Sequence, residues 1–428
     1  MEQNQNLDFI KEQVKERPIN RKKLMRRTIL TASMAVLFGM IACLTFLVLE
    51  PVISDLLYPE EEPAPVELRE ETVTEEMKPE DMILEPEEVP VEVEVSQTVV
   101  EKVELEAFDY QRLYRKMYIE SQNVAAKSLV TVTSVDADVD WFDNIYENNG
   151  QSSGLLLAEN GREYFFLAEY SKIADAYKIL VTFSDDTQVQ AHIKGTDEQT
   201  GLSVISVPAA SIQKATKEIL ESAVLGISGT GLLAAPVIAL GRPLGAAESV
   251  VYGMVTSTDN YLNLEDINVR ILTTDMAADA NSTGILMNLS GQVVGVLRPA
   301  NKKNFAGENV LIAYGINDLR RVIERLINGK EIAHIGIIGT DVPREIHEEL
   351  GVPLGAYVKE IVMDSPAMNA GIQSGDVIVK IGTEELISFT EYQKVLQTLE
   401  PDSNTTVTVM RQGPEEYEEM TLDIIIGR

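Results

Sequence analysis

The chain has 428 residues, with 36 Lys and Arg against 68 Asp and Glu, which gives a formal net charge of -32 at pH 7. Such an acidic surplus argues against nucleic acid as a partner, because phosphate backbones are bound by Lys and Arg. A single cysteine excludes an internal disulfide and a cysteine-cluster metal site. With three histidines in the chain, every histidine-dependent chemistry can be checked residue by residue.

The first 50 residues have the pattern of a membrane anchor. Residues 1–27, predicted as a cytoplasmic tail, end in the basic cluster Arg21, Lys22, Lys23, Arg26 and Arg27. An uncharged apolar run follows, and residues 28–50 are predicted as a transmembrane helix, because at about 1.5 Å per residue the run spans a hydrocarbon core of ~30 Å. The basic flank predicts a single-pass cell membrane protein with a cytoplasmic N-terminus and extracytoplasmic folded domains.

A cleaved signal peptide is the alternative interpretation of this run. Its apolar region would have about 7–15 residues and would end in a small-x-small cleavage site. The run here is longer, and the following LEPVISDLLYPEEE contains no such site. Cys43 weakly resembles a lipoprotein cleavage box, but six more apolar residues follow it. We therefore favour an uncleaved anchor.

Residues 51–106 are predicted to be an acidic, disordered linker. Between residues 55 and 106 there are nineteen Asp or Glu and three Lys or Arg, a net of -16, which is half of the total charge. Such a segment buries too little apolar surface to order itself, and its like charges extend it. The alternating stretch VPVEVEVSQTVVEKVELE leaves an edge strand as the alternative. The linker would hold the folded domains away from the membrane.

A globular composition begins at Ala107. An amphipathic helix leads into the strand VTVTSV, and many short β-type runs follow at close intervals, among them EYFFLAE, KILVTF, LSVISV, APVIALG, VVYGMVTS and QVVGVL. This spacing is typical of a β-sandwich or a pair of β-barrels rather than of alternating βαβ units. The amphipathic stretch DLRRVIERLING closes the region, with Gly329 placed to cap the helix.

Four blocks occur in order: SSGLLLAENGREYFFLAEYSKIADAYKILVTFSDD, GTDEQTGLSVISV, ALGRPLGAAESVVYGMVTS and DANSTGILMNLSGQVVGV. Together they resemble the HtrA (DegP-like) family of membrane-anchored, trypsin-like serine proteases with a C-terminal PDZ domain. The resemblance covers about residues 120–428. It implies a mainly β fold, with a trypsin-like double β-barrel at 107–330 and a PDZ domain at 331–428, preceded by one transmembrane helix and the acidic linker.

The resemblance also assigns the catalytic positions. The family cleaves peptides by a serine nucleophile, a histidine base and an aspartate that orients the histidine. The histidine position falls on Ser171 and the aspartate position on Gly201. The nucleophile position falls on Ser282, because seventeen consecutive positions then align without a gap, although an upstream register would shift it to Thr283. A serine hydroxyl cannot act as the base at neutral pH, and glycine orients nothing.

The oxyanion loop departs from the family pattern as well. It maps onto Ala280, Asn281 and Ser282, with Ala280 and Thr283 standing where the family has glycines. Because glycine tolerates a backbone that other residues adopt at a cost, the loop donors are predicted to be misdirected. The chain therefore resembles a catalytically degenerate serine endopeptidase. The alternative is an active endopeptidase that uses Ser282 with an unrecognised base.

No other residue stands out as a replacement base. His192 lies in a polar strand, and His334 and His347 belong to the C-terminal domain, so all three are interpreted as solvated or structural. Lys172 adjoins Ser171 and could form a Ser–Lys pair, but sequence neighbours on a strand or turn point in different directions. Lys172 is interpreted as a surface lysine.

The C-terminal domain carries the PDZ-like core SPAMNAGIQSGDVIVKI and an amphipathic helix in FTEYQKVLQTLEP. PDZ domains bind a peptide C-terminus by adding it to an exposed sheet edge, with its carboxylate held by backbone amides. The matching loop is His334, Ile335, Gly336 and Ile337. The two isoleucines would line the pocket for the terminal side chain; alternatively, they are ordinary core residues.

These patterns predict a membrane-anchored HtrA-like pseudoprotease for protein quality control or regulation. It would bind peptide C-termini or misfolded proteins through the PDZ domain and the membrane through residues 28–50, without nucleic acid, metal or cofactor. The family resemblance also implies a homotrimer, or a mixed trimer with an active paralogue, in which the protease-like domain is a scaffold.

Overall fold

The computed structural model describes residues 25, 30–40, 65–66, 68, 107–139, 145–245, 248–299, 310–414 and 416–428. The chain divides into two compact units, residues 1–64 and residues 65–428. In the first unit, residues 30–40 form helix α1, whose side chains are exposed. None of the helices in the described ranges is both long and apolar enough to cross a membrane. The rest of the predicted span 28–50 lies outside those ranges.

Six strands of the second unit form a closed barrel in the order β1-β2-β3-β6-β5-β4. Buried and partly exposed residues alternate along β4, as expected for a strand with one face toward a barrel interior. Phe166, Val181 and Ile205 are among the side chains that fill this interior. The strands are β1 Leu129–Val139, β2 Ile145–Glu159, β3 Glu163–Glu169, β4 Lys178–Thr182, β5 Gln188–Asp197 and β6 Leu202–Pro208.

Six further strands form a second closed barrel in the order β10-β11-β12-β9-β8-β7. Leu272, Leu286 and Leu297 are part of its core. The strands are β7 Pro236–Arg242, β8 Ser249–Asn263, β9 Asn268–Ala277, β10 Thr283–Asn288, β11 Val293–Pro299 and β12 Val310–Gly315. The prediction of a mainly β fold with two barrels is therefore confirmed.

Within the described ranges, three α-helices accompany the barrels: α2 Ala107–Ser128, α3 Lys214–Ile219 and α4 Ile316–Ile327. Helix α2 leads directly into β1, and α4 buries one apolar face in a core cluster shared by both barrels. Helix α4 ends as predicted, because Gly329 follows it with a φ of 62°, the left-handed conformation that glycine adopts without a steric penalty.

The C-terminal domain is a sheet with the strand order β13-β14-β15-β17-β18, and β16 pairs with β15 beside that path. Strand β13 lies at one edge of the sheet. The elements are β13 Ile337–Asp341, α5 Arg344–Leu350, β14 Ala356–Ile361, α6 Pro366–Ala370, β15 Val377–Ile381, β16 Glu384–Glu385, α7 Phe389–Leu396, β17 Asn404–Gln412 and β18 Tyr417–Ile425. Phe389, Tyr392 and Leu396 of α7 are buried, as the amphipathic pattern predicted.

Two described residues of the predicted linker 51–106 belong to the second unit and pack within it. Leu68 is 5% exposed and belongs to the core cluster shared by the barrels. The amide of Val66 donates to Asn328 Oδ1 at 3.0 Å. The acidic composition of the segment did not predict this packing, because the average charge conceals single apolar residues that find a partner.

Candidate functional site

The structure brings the three predicted triad positions to one place between the barrels. Ser171 lies just after β3, and Gly201 lies just before the adjacent strand β6. The amide of Tyr170 donates to the carbonyl of Gly201 at 2.9 Å. Lys172 Nζ donates to Asn281 Oδ1 at 2.8 Å, which joins this region to the loop that carries Ser282.

Ser171 offers no base at the histidine position. Its side chain is exposed, and its Oγ donates to Glu169 Oε1 at 3.1 Å. A neutral hydroxyl that already donates to a carboxylate has no tendency to take a proton from a second serine.

Gly201 is held in the left-handed region, with a φ of 67°. A Cβ at this position would meet the guanidinium of Arg298, whose Nη2 lies 3.4 Å from the place that the Cβ would take. The space beside the aspartate position is thus occupied by an arginine that the sequence analysis did not single out.

Arg298 and Glu169 form an ion pair through Nη1 and Oε2 at the centre of this region. Arg298 is only 6% exposed, and its Nη2 also donates to the carbonyl of Thr200 at 2.9 Å. Its guanidinium carbon lies 5.2 Å from the centroid of the Tyr314 ring, within cation–π range. Burial lowers the pKa of Arg298 to about 10, so the group stays charged at neutral pH.

A sequence signal for this pair existed but was weak. Glu169 and Arg298 are charged residues near the ends of the apolar strands β3 and β11. Strand ends are ordinarily solvated, and only the fold shows that these two ends meet.

Ser282 is buried, with 1% of its surface exposed. Its Oγ donates to the carbonyl of Pro243 at 2.6 Å and accepts from the amide of Asp279 at 2.9 Å. Its own amide donates to the carbonyl of Asp279 at 3.1 Å. The hydroxyl therefore closes a turn, and both of these partners are backbone groups.

The predicted oxyanion loop is also engaged within itself. The amide of Asn281 donates to Asp279 Oδ1 at 2.8 Å, and Ala280 lies between Asp279 and Asn281 in the same turn. The amides of Asn281 and Ser282 thus already have acceptors, whereas an oxyanion hole needs donors aimed at the reacting carbonyl.

In the alternative register the nucleophile position is Thr283, whose hydroxyl is also bonded to the backbone. Thr283 is buried at the start of β10, and its Oγ1 accepts from the amide of Ser153 at 3.0 Å. A cavity between the barrels, lined by Glu169 and Thr283 among others, has a volume of about 20 Å³. That is room for about one water molecule.

The three histidines lie in the described ranges, and within those ranges none of them is hydrogen-bonded to Ser282. His192 is exposed on β5. His347 Nδ1 lies 2.7 Å from the carbonyl of Val352, and His334 Nδ1 lies 3.1 Å from Glu265 Oε1.

The predicted carboxylate-binding loop, residues 334–337, aims three consecutive amides at one point. Gly336 has a φ of 92°, and a Cβ there would collide with the side chain of Ser365. Glycine is required for both reasons. The side chains of Ile335 and Ile337 are fully buried in the core of the C-terminal domain. This burial is the one that the alternative interpretation, ordinary core residues, expects.

The point at which these amides converge is occupied by the carboxylate of Asp266, from the turn between β8 and β9. Its Oδ2 accepts from the amides of Ile335 and Gly336, each at 2.7 Å, and its Oδ1 accepts from the amide of Ile337 at 3.1 Å. The hydroxyl of Tyr392 also donates to Oδ1. Sequence analysis gave no sign of Asp266, an acidic residue in an acidic chain.

Burial raises the pKa of Asp266, while the donors from Tyr392 and from the amides of residues 335–337 pull it in the opposite direction. Burial and the neighbouring Asp266 raise the pKa of Tyr392 well above its ordinary value. The Tyr392 hydroxyl therefore keeps its proton and remains a donor. Four N–H and O–H donors face the oxygens of Asp266, so both oxygens act as acceptors. This arrangement suits the ionised form of the carboxylate.

Glu265, Asp266 and His334 are the one cluster of potential metal-ligand side chains found in the described ranges. The oxygens of Asp266 already accept four donors, and His334 Nδ1 is within hydrogen-bond distance of Glu265. The cluster does not fit a cation, because its best carboxylate is committed to N–H and O–H groups.

Two sequence family models match the chain. The model described as a trypsin-like peptidase domain matches residues 153–296, and the PDZ domain model matches residues 357–411. Both lie in the regions where the sequence analysis placed those domains.

Curated relatives match this chain over 61% to 66% of its length. They include the periplasmic pH-dependent serine endoprotease DegQ of Escherichia coli, 28% identical over 64% of this chain and 59% of that protein. The serine protease Do-like HtrB of Bacillus subtilis is 28% identical over 61% of this chain and 59% of that protein. A probable periplasmic serine endoprotease DegP-like of Pseudomonas putida is 27% identical over 66% and 56%. The chain spans little more than half the length of these relatives.

Solved structures share the fold. The HtrA-type protease AlgW with decapeptide has a TM-score of 0.52 and 21% identity, and the match covers 72% of this chain and 98% of that one. The same protease with tripeptide has a TM-score of 0.51 and 20% identity, covering 72% and 96%. At this identity the likeness shows the fold alone, and the chemistry has to be argued from this chain's own residues.

Proposed function

Because this chain belongs to the HtrA/DegP-like family, we propose that it is a membrane-anchored pseudoprotease that binds peptide C-termini or misfolded proteins on the extracytoplasmic side. The observation that carries the proposal is the state of Ser282. The side chain at the predicted nucleophile position bonds to the backbone of Asp279 in its own loop and of Pro243 after β7, and no base among the described residues bonds to it. The protease-like part would act as a scaffold.

The neighbouring positions support the loss of catalysis. The base position holds Ser171, and the orienting position holds Gly201 beside the buried Arg298. An enzyme that has lost its triad retains at most a rate of about 10³–10⁴-fold over water, through its oxyanion hole and substrate binding. Here the amides of Asn281 and Ser282 are bonded to Asp279. The residual rate that an oxyanion hole would supply is therefore expected to be lower still.

Peptide recognition is supported by the loop at residues 334–337. Three amides converge on one point, and the group that they hold is a carboxylate, the group that terminates every unmodified peptide. The side chains of Ile335 and Ile337 are committed to the core, so side-chain selectivity would come from other residues.

Anchoring and location are part of the same proposal. Helix α1 exposes large apolar side chains, among them Leu30 at 64% and Phe38 at 75%, as a lipid-facing helix would. Relatives from Pseudomonas putida and Escherichia coli are called periplasmic. Assembly into a homotrimer or mixed trimer stays a proposal drawn from the family, and mass measurement after detergent extraction tests it.

The decisive experiment compares hydrolysis of casein by the full chain and by its Ser282→Ala variant, together with labelling by a fluorophosphonate probe. We expect no Ser282-dependent hydrolysis and no labelling. Turnover that disappears in the variant, while its thermal unfolding still shows a folded protein, would establish the active endopeptidase instead.

Binding is tested separately by titrating a fluorescent peptide with a free C-terminal carboxylate against the full chain, beside the same peptide with an amidated C-terminus. Preference for the free carboxylate supports the proposal. Equal binding of both peptides would remove the loop at residues 334–337 from the recognition mechanism.

A further inference from the structure

The loop that the proposed function assigns to peptide C-termini already holds a carboxylate, and that carboxylate belongs to the same chain. We infer that the turn between β8 and β9, residues 264–267, is an internal ligand of the PDZ domain, and that an external peptide binds only when this turn leaves. We call these residues the latch. The inference rests on the proposed peptide binding and describes its regulation.

The latch satisfies the loop as a peptide terminus would. A terminal carboxylate offers two oxygens to the loop amides, and Asp266 offers the same two oxygens to Ile335, Gly336 and Ile337. The three N–H groups cannot serve two carboxylates at once, because each amide has one hydrogen. The internal and external ligands are therefore mutually exclusive.

The hairpin formed by β8, the latch and β9 also bonds to β13 as an added peptide strand would. Strand β13 is an edge strand, so backbone groups on its outer side are open to a partner. The amide of Asp266 donates to the carbonyl of Ile337 at 2.8 Å. Asn268 Nδ2, at the start of β9, donates to the carbonyl of Gly339 at 3.2 Å. The carbonyls of alternate residues of the edge strand are thus used, as in β-augmentation.

Helix α7, on the other side of this hairpin from β13, also bonds to it. Tyr392 of α7 donates to Asp266, and Gln393 Nε2 lies 3.5 Å from the carbonyl of Asn268. The tip of the hairpin thus lies between β13 and α7, with hydrogen bonds to both.

Occupancy by the latch lowers the apparent affinity for an external peptide. When only a fraction of molecules is open, the apparent dissociation constant rises by the reciprocal of that fraction. Because the latch connects β8 and β9, displacing it also alters the end of the second barrel. Peptide binding at the C-terminal domain would therefore be coupled to that barrel.

The test is a titration of the full chain in detergent with a short fluorescein-labelled peptide that ends in a free valine carboxylate. We expect Asp266→Asn to bind it about tenfold or more tightly than wild type, because the amide replaces an acceptor by a donor facing donors. Asp259→Asn is the matched control. It makes the same change on an exposed residue of β8 that has no bond to the loop, and its affinity should equal that of wild type.

Hydrogen exchange separates failure of the latch from failure of the proposed function. In Asp266→Asn the amides of residues 335–337 should exchange faster than in wild type. Fast exchange without any peptide binding would support the latch and refute peptide binding by this loop. Measurable peptide binding of equal affinity in wild type and variant, or unchanged exchange, would overturn the latch.

Milder variants keep the test valid if Asp266→Asn does not fold. Tyr392→Phe removes one donor to the carboxylate, and Asn268→Ala removes one bond to the edge strand. Each should increase peptide affinity by a smaller factor, with circular dichroism as the check of folding. Wild-type affinity in both folded variants would contradict the inference.

Discussion

The region between the barrels and the PDZ loop differ in the groups that make their main contacts. These groups are side chains in the first region and backbone amides in the second. At the centre between the barrels, polar side chains bond to protein groups beside them: Ser282 to Pro243 and Asp279, and Arg298 to Glu169. In the PDZ loop the backbone donors are all retained, and they hold an acceptor from elsewhere in the chain. Catalysis depends on particular side chains, whereas carboxylate binding depends on a backbone shape, so different substitutions would remove the two kinds of site.

The buried ion pair should show the largest effect on stability. Arg298→Ala leaves Glu169 without its cation, and breaking a buried pair costs about 3–5 kcal/mol. The measurement is the free energy of unfolding in urea. The double variant Arg298→Met with Glu169→Gln removes both charges and should lose much less. An equal loss in both variants would mean that packing, not charge, holds this centre.

The backbone shape of the PDZ loop is tested by Gly336→Ala. The left-handed φ and the collision with Ser365 together should cost about 1–3 kcal/mol and abolish carboxylate binding. Gly371→Ala is the matched control, because Gly371 also has a positive φ but has no atom near the place of a Cβ. Similar losses in unfolding free energy would show that φ alone is responsible.

The local role of Ser282 predicts a loss of stability without a loss of activity. Ser282→Ala leaves the amide of Asp279 and the carbonyl of Pro243 without this partner, which should cost about 1–3 kcal/mol. Ser171→Ala, at an exposed position, should stay within about 0.5 kcal/mol of wild type. Thermal unfolding and casein hydrolysis measure both. A Ser282→Ala variant as stable as wild type would show that the hydroxyl does not stabilise this turn.

Lys172 should show the smallest effect. Its bond to Asn281 lies at the surface, so Lys172→Ala should change the unfolding free energy by about 0–1 kcal/mol. We expect no Ser282-dependent hydrolysis in either the wild type or Lys172→Ala, because the Ser282 hydroxyl is bonded to backbone groups. Any turnover in wild type that Lys172→Ala removes would revive a Ser–Lys mechanism. The sequence interpretation of Lys172 as a simple surface residue missed its contact with the loop of Ser282.

The two barrels and the C-terminal domain were predictable because their signals are local or ordered along the chain. Alternating apolar residues define strands such as β4, and Gly329 marks the end of α4. The contacts that decide function are not local. Asp266 and Ile335 are 69 positions apart, and Arg298 and Thr200 are 98 apart. No periodicity in the sequence links such residues, so only the folded chain shows that the PDZ loop is filled and that an arginine lies beside Gly201.

The bond between Asp266 and the PDZ amides also bears on what counts as a folding unit. The sequence divides the chain at residues 330 and 331, yet this carboxylate finds its four donors only across that division. Cut there, the barrels would carry a carboxylate stripped of its donors, and the C-terminal sheet would expose three unbonded amides. Heating the intact chain should therefore give a single calorimetric transition for residues 65–428, with Asp266→Asn splitting it into two.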